Sequence, residues 1–318
     1  MNMLKQARIV TVTLNPALDQ TMYFSQFNIG QVNRVGKERL DPAGKGVNVA
    51  KVIKSLDQEV TVTGFLGREN SRIFEEYFQT HQIHDQFIRV DGANRINTKI
   101  VDESNKQVTE INFPGIKYSA SDLEKLECKM EQLAEESQIF VLSGSLPEGA
   151  TIGIYREFIE VLKQYHCKVF LDTSGGALEE GIKAKPFAIK PNVYELEQLM
   201  GYSMEHERDI LGAINTLIAE GINKVIVSLG EKGALVADGS KGLIVTPPDV
   251  QIGSTVGAGD ALVAGLVFGE AKGMPLEEQA RWATAVAAAS VAKPGTQAGT
   301  LRDVEKLLPH VIIKEVKV

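Results

Sequence analysis

The stretch GSTVGAGDALVAGLVFG, residues 253–269, is the segment of this sequence that bears most directly on fold and function. Gly257 and Gly259 flank Ala258 directly before an apolar helical pattern, so successive backbone N–H groups can converge on one point at a helix N-terminus. That geometry binds anions. Asp260, in the first predicted turn, can face the same point and take a proton from a hydroxyl group that attacks a phosphoryl group. A glycine turn followed by an aspartate N-cap is the alternative explanation.

A second glycine-rich stretch is DPAGKGVNVAKVIKSL, residues 41–56, in which a Gly-Lys-Gly turn opens an amphipathic helix. Gly44 permits close approach of a polyhydroxy ligand to the backbone, and Lys45 and Asn48 supply hydrogen-bond donors. The pattern predicts a sugar-binding helix start. A turn that merely begins a helix has the same sequence.

The stretch IKPNVYELEQL, residues 189–199, has the pattern of a strand end followed by a helix. The strand end delivers Lys190 and Asn192, and the helix carries Glu195. Ligands of parallel sheets bind beyond the carboxyl ends of the strands, so Asn192 and Glu195 could hold Mg²⁺ through water. A capping box, with Asn192 as N-cap and Glu195 at N3, explains the same two residues.

The spacing of strands and helices predicts an α/β protein with two parts. From about residue 138, short β-branched runs alternate with amphipathic helices, which predicts a mostly parallel central sheet with helices on both faces. Two helix-free stretches, about 18–41 and 87–113, predict antiparallel strands that pair into a small sheet, a candidate lid. The predicted core comprises residues 1–10, 44–86 and 118–318, and the predicted β-sheet lid comprises 11–43 and 87–117.

Composition excludes several classes of protein. The net charge of −7 over 318 residues argues against a nucleic-acid-binding surface. No apolar window has the length of a membrane span, and IVTVTL is too short for a signal peptide. Cys128 and Cys167 show no metal-ligand spacing or disulfide framework, as expected in a reducing cytosol. We therefore expect a cytoplasmic protein without nucleic-acid or membrane partners. Walker A, GxGxxG, HExxH and GxSxG motifs are absent from the sequence.

The motifs together resemble those of the ribokinase-like PfkB family of carbohydrate kinases. The resemblance spans nearly the whole chain and depends on an ordered set of segments: TLNPALD, AGKGVNVAKV, GFLG, RINTK, SGSLP, LDTSGGAL, KPNVYELE, VSLGEKGAL and STVGAGDALVAG. One departure is Ala43, where a second glycine is usual in the family. Alanine is small, so we expect only a slight change there.

The resemblance implies that the γ-phosphoryl group of ATP is transferred to D-fructose 1-phosphate, giving fructose 1,6-bisphosphate. Tagatose 6-phosphate or fructose 6-phosphate as acceptor is the nearest alternative. A sugar-phosphate-binding regulator without catalysis is a remote alternative, opposed by the intact GAGD segment. A nucleotide-dependent oxidoreductase is opposed by the missing glycine fingerprint. The implied cofactors are ATP and Mg²⁺, with a monovalent cation as a further candidate and a homodimer through the lid as the candidate assembly.

The resemblance also assigns residues to roles. It implies Asp260 as the general base, with an anion hole formed by Gly257, Ala258 and Gly259. The implied ATP-binding residues also include Lys190, Asn192, Ser228, Gly230, Gly233, Thr255 and Val256. Sugar-contacting positions are Asp19, Gly44, Lys45, Asn48 and Ser143. The substrate phosphate needs cations, for which Arg34, Lys45 and Arg95 are the candidates, with Lys37 and Lys99 as further ones.

Overall fold

The computed structural model describes residues 8–317, so residues 1–7 and 318 of the predicted core lie outside the described residues. The strands are β1 Ile9–Thr13, β2 Ala17–Phe24, β3 Lys37–Ala43, β4 Val60–Gly67, β5 His84–Asp85, β6 Ile88–Val90, β7 Arg95–Asp102, β8 Gln107–Ile111, β9 Ile139–Ser143, β10 Lys168–Asp172, β11 Ala188–Ile189, β12 Lys224–Ser228, β13 Ala234–Asp238, β14 Gly242–Thr246 and β15 Ile312–Val316. The helices are α1 Lys45–Ser55, α2 Arg72–Thr80, α3 Ala120–Ala134, α4 Ile154–Gln164, α5 Gly175–Lys183, α6 Val193–Met200, α7 Glu207–Ala219, α8 Ala258–Ala271, α9 Leu276–Val291 and α10 Leu301–Leu307.

Within residues 8–317, eleven strands form one large sheet, in the order β15-β14-β13-β12-β11-β10-β9-β1-β4-β5, with β6 also paired to β4. The strands from β12 through β5 run parallel, and β13, β14 and β15 extend the sheet in antiparallel fashion. The central strands β1 and β9 are buried along their whole length. Two hydrophobic clusters cover the two faces of this sheet. The predicted α/β class with a mostly parallel sheet is confirmed.

Helix α8 is buried almost throughout because α1 and α9 pack against it. A Cβ atom at Gly265 would lie 2.5 Å from the Cα atom of Ala283 in α9, so glycine is required for this close helix packing. The small residues of α8 and α9 therefore allow the two helices to approach each other closely. The packing fixes the axis of α8 and with it the position of its N-terminus.

A separate small sheet has the strand order β3-β2-β7-β8. The β2–β3 and β7–β8 pairs are antiparallel, but β2 and β7, from the two separate stretches, pair in parallel. The expectation of a wholly antiparallel sheet was therefore wrong at that junction. Each antiparallel pair lies within one stretch, whereas β2 and β7 are far apart in the sequence, so no short hairpin forces them to be antiparallel.

Strand pairing also moves the edges of the predicted lid. Residues 11–13 complete β1 in the large sheet, and Ile88–Val90 pair with β4 rather than with the small sheet. Alternation of side chains does not reveal which sheet a strand joins, because the period of two is common to both.

Across residues 8–317, no helix is both long and apolar enough to cross a membrane.

Candidate active site

The carboxyl ends of the central parallel strands converge at one edge of the large sheet. Ser143 ends β9 and pairs in register with Asp172, which ends β10. Lys190 directly follows β11, and Asn192 forms a parallel bridge with Ser228 at the end of β12. The edge therefore brings together residues from four separate segments, as expected for a ligand site in a parallel sheet.

The Gly-Lys-Gly turn sets α1 close against the end of β1. Gly44 has a φ angle of 114°, and a Cβ atom there would lie 2.9 Å from the Cγ2 atom of Thr13. A Cβ atom at Gly46 would collide with Thr13 and with the carbonyl group of Val12. No side chain among residues 8–317 caps this helix. The turn therefore places the first residues of α1, including Lys45 and Asn48, at the same edge of the sheet.

Asp260 is not the N-cap of α8. The N-cap is Gly257, whose φ angle of 79° favours glycine, and the carboxylate of Asp260 makes no capping bond within the described chain. Instead, the side-chain amide of Asn48 donates a hydrogen bond of 2.8 Å to Asp260 Oδ2. Asp260 is 6% exposed. The helix-cap explanation of Asp260 therefore fails, and its carboxylate faces α1 across the site.

The environment of Asp260 suits a general base. Burial raises the pKa of its carboxyl group to about 6, and the negative charge of Asp172 adds to that effect. Lys45, the Asn48 hydrogen bond and Lys190 act in the opposite direction. A carboxylate with a pKa near 6 is ionised at neutral pH and is a stronger base than an exposed aspartate.

Asp172 is the site residue that the sequence analysis did not identify. Its Oδ1 atom lies 3.1 Å from the Nζ atom of Lys45 and 3.4 Å from that of Lys190, and its side chain is 1% exposed. Burial alone would raise the pKa of Asp172, but the two ammonium groups outweigh it and hold the pKa below its usual value. The signal was available in LDTSGG, because an aspartate there ends an apolar strand of the parallel sheet.

Asp172 organises two cations beside the glycine loop. Burial would lower the pKa of Lys45, but the charges of Asp172 and Asp260 raise it, so this side chain is cationic. A Cβ atom at Gly259 would lie 3.5 Å from the Nζ atom of Lys190. Lys190 is therefore adjacent to the predicted anion hole, and Lys45 shares the carboxylate of Asp172 with it.

Several buried polar atoms at this edge have no hydrogen-bond partner within residues 8–317. They are Asp172 Oδ2, Asn48 Oδ1 and Ser143 Oγ. An unpaired buried polar atom costs free energy, roughly 1–3 kcal/mol, and such atoms are typical of sites that a ligand or ion completes. Together with the uncapped N-termini of α1 and α8, they mark the edge as a binding site for a polar, anionic ligand.

Asn192 and Glu195 form the capping box that the sequence analysis had left as an alternative. Asn192 Oδ1 accepts from the Glu195 amide at 2.8 Å, and Glu195 Oε2 accepts from the Asn192 amide at 2.9 Å. Glu195 Oε1 has no partner within the described chain. The box orients both side chains at the strand edge, and their role toward Mg²⁺ stays a prediction.

The inner face of the small sheet carries the predicted sugar residues. Asp19 Oδ2 lies 2.5 Å from the Nζ atom of Lys99, and both side chains are buried. Arg95 donates to the carbonyl groups of Phe113 and Asn15 at 3.0 Å each, and its Nε atom has no partner in residues 8–317. Lys99 therefore pairs with Asp19.

The remaining predicted residues lie on loops or strand ends. Arg34 and Lys37 are exposed, and neither side chain makes a hydrogen bond or ion pair within the described residues, although the Nζ atom of Lys37 lies 5.8 Å from the centre of the Tyr23 ring. Gly230 and Gly233 have φ angles of 64° and 98° in the turn after β12, so both favour glycine. Thr255 and Val256 lie in the loop that ends at the α8 N-cap.

The raised pKa of Asp260 predicts the pH dependence of catalysis. Only the ionised carboxylate can accept a proton, so kcat/KM should be half-maximal near pH 6, where the pKa of Asp260 lies. It should fall about tenfold for each further unit of acidification. Asn48→Ala removes a hydrogen bond that stabilises the charged form and should shift the midpoint to higher pH. Circular dichroism across the same range controls for acid unfolding. A midpoint near pH 4 in the parent would contradict the assignment.

Comparison with known proteins decides the family. The profile described as pfkB family carbohydrate kinase matches residues 12–303. The chain belongs to this family. A 1-phosphofructokinase of Vibrio cholerae is 42% identical over 304 residues, covering 96% of each chain. A 1-phosphofructokinase of Haemophilus influenzae is 40% identical over 308 residues, covering 96% of this chain and 98% of the relative.

Comparison with solved structures supports the same family. The crystal structure of phosphofructokinase-2 from Escherichia coli in complex with potassium aligns with a TM-score of 0.89 at 28% identity, covering 95% of this chain and 98% of that one. The predicted ribokinase-like PfkB family membership is confirmed, and the protein is a carbohydrate kinase.

Proposed function

We propose that this PfkB family kinase phosphorylates D-fructose 1-phosphate with ATP to give fructose 1,6-bisphosphate. The observation that carries the proposal is the buried Asp260, hydrogen-bonded to Asn48 at the N-terminus of α8, with its pKa raised to about 6. The choice of acceptor is supported by relatives of about 40% identity that are named 1-phosphofructokinase. Because the proposed reaction uses ATP, we also propose that the protein acts in the cytoplasm.

Each part of the site has a task in this reaction. The backbone N–H groups of Gly257, Ala258 and Gly259 bind the charged oxygens of the transferring phosphoryl group. Lys45 and Lys190, held by Asp172, add positive charge beside them. Asp260 accepts the proton of the acceptor's free C6 hydroxyl as its oxygen bonds to the γ-phosphorus. The bond from the γ-phosphorus to the bridging oxygen breaks, and ADP leaves.

The residues at the strand edge fit a magnesium ion brought in with ATP. Mg²⁺ prefers oxygen ligands and keeps several waters, and unpaired carboxylate oxygens are present at Asp172 Oδ2 and Glu195 Oε1. When bound, Mg²⁺ neutralises charge on the ATP phosphates. A monovalent cation is a further proposal, supported by the potassium complex of the Escherichia coli relative. Rates measured in potassium and in tetramethylammonium salts test it.

The acceptor is tested by a coupled ADP-release assay over fructose 1-phosphate, fructose 6-phosphate and tagatose 6-phosphate, with unphosphorylated fructose as a control. We expect the highest kcat/KM for fructose 1-phosphate. A higher value for either 6-phosphate would assign the acceptor to that sugar. No ADP release with any sugar would favour the non-catalytic regulator.

Arg95 is proposed to bind the substrate phosphate. It lies on the inner face of the small sheet in register with Ala17, two residues from Asp19, and its Nε donor is unpaired in the described chain. Arg95→Ala should raise the KM for the sugar phosphate by about 10- to 150-fold, the loss of a charge-assisted hydrogen bond, and leave the KM for ATP nearly unchanged. Arg68→Ala, on an exposed arginine paired with Asp91, is the control. Equal changes in both KM values would show that Arg95 has another role.

The small sheet is proposed to act as a lid and as a dimer interface. Strand register places Leu40, Ile96 and Ile111 on the face opposite to Asp19, and all three are exposed. An exposed apolar sheet face is typical of a protein interface. We expect Ile111→Glu to convert a dimer into monomers in analytical ultracentrifugation. Val108→Glu, on the other face of β8, is the control. A parent that sediments as a monomer would contradict this proposal.

A further inference from the structure

The chain segment 294–296 lies against the loop that forms the anion hole. A Cβ atom at Gly257 would lie 3.7 Å from the Cγ2 atom of Thr296. The backbone amides of Gly253 and Ser254 donate to the carbonyl group of Val291 at 2.9 and 3.0 Å. The loop 253–257 therefore rests on the last residue of α9 and on Thr296 in the chain that follows, and a shift of segment 294–296 would move the amides of Gly257 and its neighbours.

Arg39 of β3 contacts the same segment from the small sheet. Its Nη1 and Nη2 atoms both lie 3.4 Å from the carbonyl oxygen of Pro294. A Cβ atom at Gly295 would collide with the guanidinium group, so the group packs directly on this glycine. The Nε atom lies 2.5 Å from Asp41 Oδ2, which fixes the direction of the side chain, and that side chain is 21% exposed.

Strand β3 connects this contact to the sugar side of the site. Asp41 pairs in register with Asp19, and the chain passes through Ala43 into Gly44 and the start of α1. Lys51 of α1 donates a hydrogen bond to the carbonyl group of Pro42, which ties the end of the strand to that helix. A movement of β3 therefore reaches both the proposed sugar residues and, through Arg39, the segment beside the anion hole.

We propose that Arg39 is a positioning residue that couples binding of the two substrates. The inference rests on the proposed function, in which the small sheet binds the sugar and the loop 253–259 binds ATP phosphates. When the sugar phosphate holds the small sheet in place, Arg39 holds segment 294–296 and thereby the amides of the anion hole. Because binding free energies are linked reciprocally, ATP must then strengthen sugar binding by the same factor.

Calorimetric titrations measure this coupling. The affinity for fructose 1-phosphate is determined without and with a saturating nonhydrolysable ATP analogue, for the parent and for Arg39→Met. In the parent we expect the analogue to tighten sugar binding at least about fivefold, the lower end of usual coupling factors. In Arg39→Met the factor should fall toward one, while the affinity for each ligand alone changes less than about twofold.

Two further variants separate coupling from general damage. Gly295→Ala displaces the guanidinium group and also strains segment 294–296, because Gly295 has a φ angle of 62°. It should reduce the coupling factor as well, and combining it with Arg39→Met should add little further loss. Arg39→Lys keeps a cation near Asp41 and should retain part of the coupling. Arg72→Met, on an exposed arginine of α2, is the control.

Kinetics give an independent readout. In the parent, the KM for each substrate should fall as the concentration of the other substrate rises. In Arg39→Met this fall should disappear, so the KM measured at a saturating concentration of the other substrate should exceed that of the parent, while kcat is retained. An unchanged coupling factor in Arg39→Met, or a parent factor of one, overturns the inference. Failure of the proposed acceptor is distinguishable, because the ADP-release panel then identifies another sugar phosphate, and the titrations are carried out with that sugar.

Discussion

Asp260→Asn should lower kcat by about 10²- to 10⁴-fold, the usual contribution of a general base. Asparagine keeps the shape of the side chain but cannot accept the hydroxyl proton. Binding of ATP and sugar phosphate should change little, because the anion hole consists of backbone amides that the substitution leaves in place. Steady-state rates and equilibrium titrations of the purified variant measure the two effects separately.

A matched control is available in Asp122→Asn. Asp122 also occupies the N3 position of its helix, but it forms a capping box with Ser119 at the exposed N-terminus of α3. Its substitution should leave kcat unchanged. If Asp260→Asn keeps kcat within about threefold of the parent, a loss far below that of a general base, the assignment of Asp260 is wrong.

Asp172→Asn should lower the free energy of unfolding by about 3–5 kcal/mol, the usual cost of breaking a buried ion pair. The substitution leaves Lys45 and Lys190 without their shared carboxylate. Lys190 is itself buried, so water cannot replace that carboxylate at its ammonium group. Urea unfolding at neutral pH measures the loss. Turnover should fall as well, because both ammonium groups lose the partner that holds them beside the glycine loop.

The sign of the pH dependence follows from the lowered pKa of Asp172. A carboxyl group whose pKa is lower in the folded state stabilises the protein above its unfolded-state pKa, and this stability is lost as pH falls through the folded-state pKa. The parent and Asp172→Asn should therefore converge in stability only in strong acid. Asp85→Asn, at a partly exposed pair with Arg89, is the control and should cost about 1 kcal/mol or less. A loss in Asp172→Asn no larger than in this control would show that the two lysines do not depend on Asp172.

The candidate site was predictable where it depends on local sequence. The glycines around Ala258 and the Gly-Lys-Gly turn predicted helix starts, and both are observed; that neither start has a side-chain cap is a finding of the structure. The capping box of Asn192 and Glu195 was recognised from spacing alone, although a metal role competed with it. These features depend on neighbours within one helical turn, so a single segment contains the information.

Other features were ambiguous or missed in the sequence. Asp172 looked like the end of a strand, and nothing local indicated that Lys45 and Lys190 would both approach it. Lys99 was considered as a phosphate ligand, whereas in the structure it pairs with Asp19. The parallel pairing of β2 with β7 was read as antiparallel. Each of these depends on which distant segments become neighbours, and side-chain pattern carries little information about that choice.

The sequence by itself determined the alternation of strands and helices, the placement of glycines at helix starts and the residue types that phosphoryl transfer requires, because these follow from backbone conformation and the chemistry of single side chains. Only the tertiary structure decided that Asn48 hydrogen-bonds to Asp260 across 212 residues of chain. It also decided that Asp260 is buried beside a second carboxylate. Burial and the sum of nearby charges set the pKa of a group, and both exist only once the chain has brought α1, α8 and the ends of β9 and β10 to one edge of the sheet.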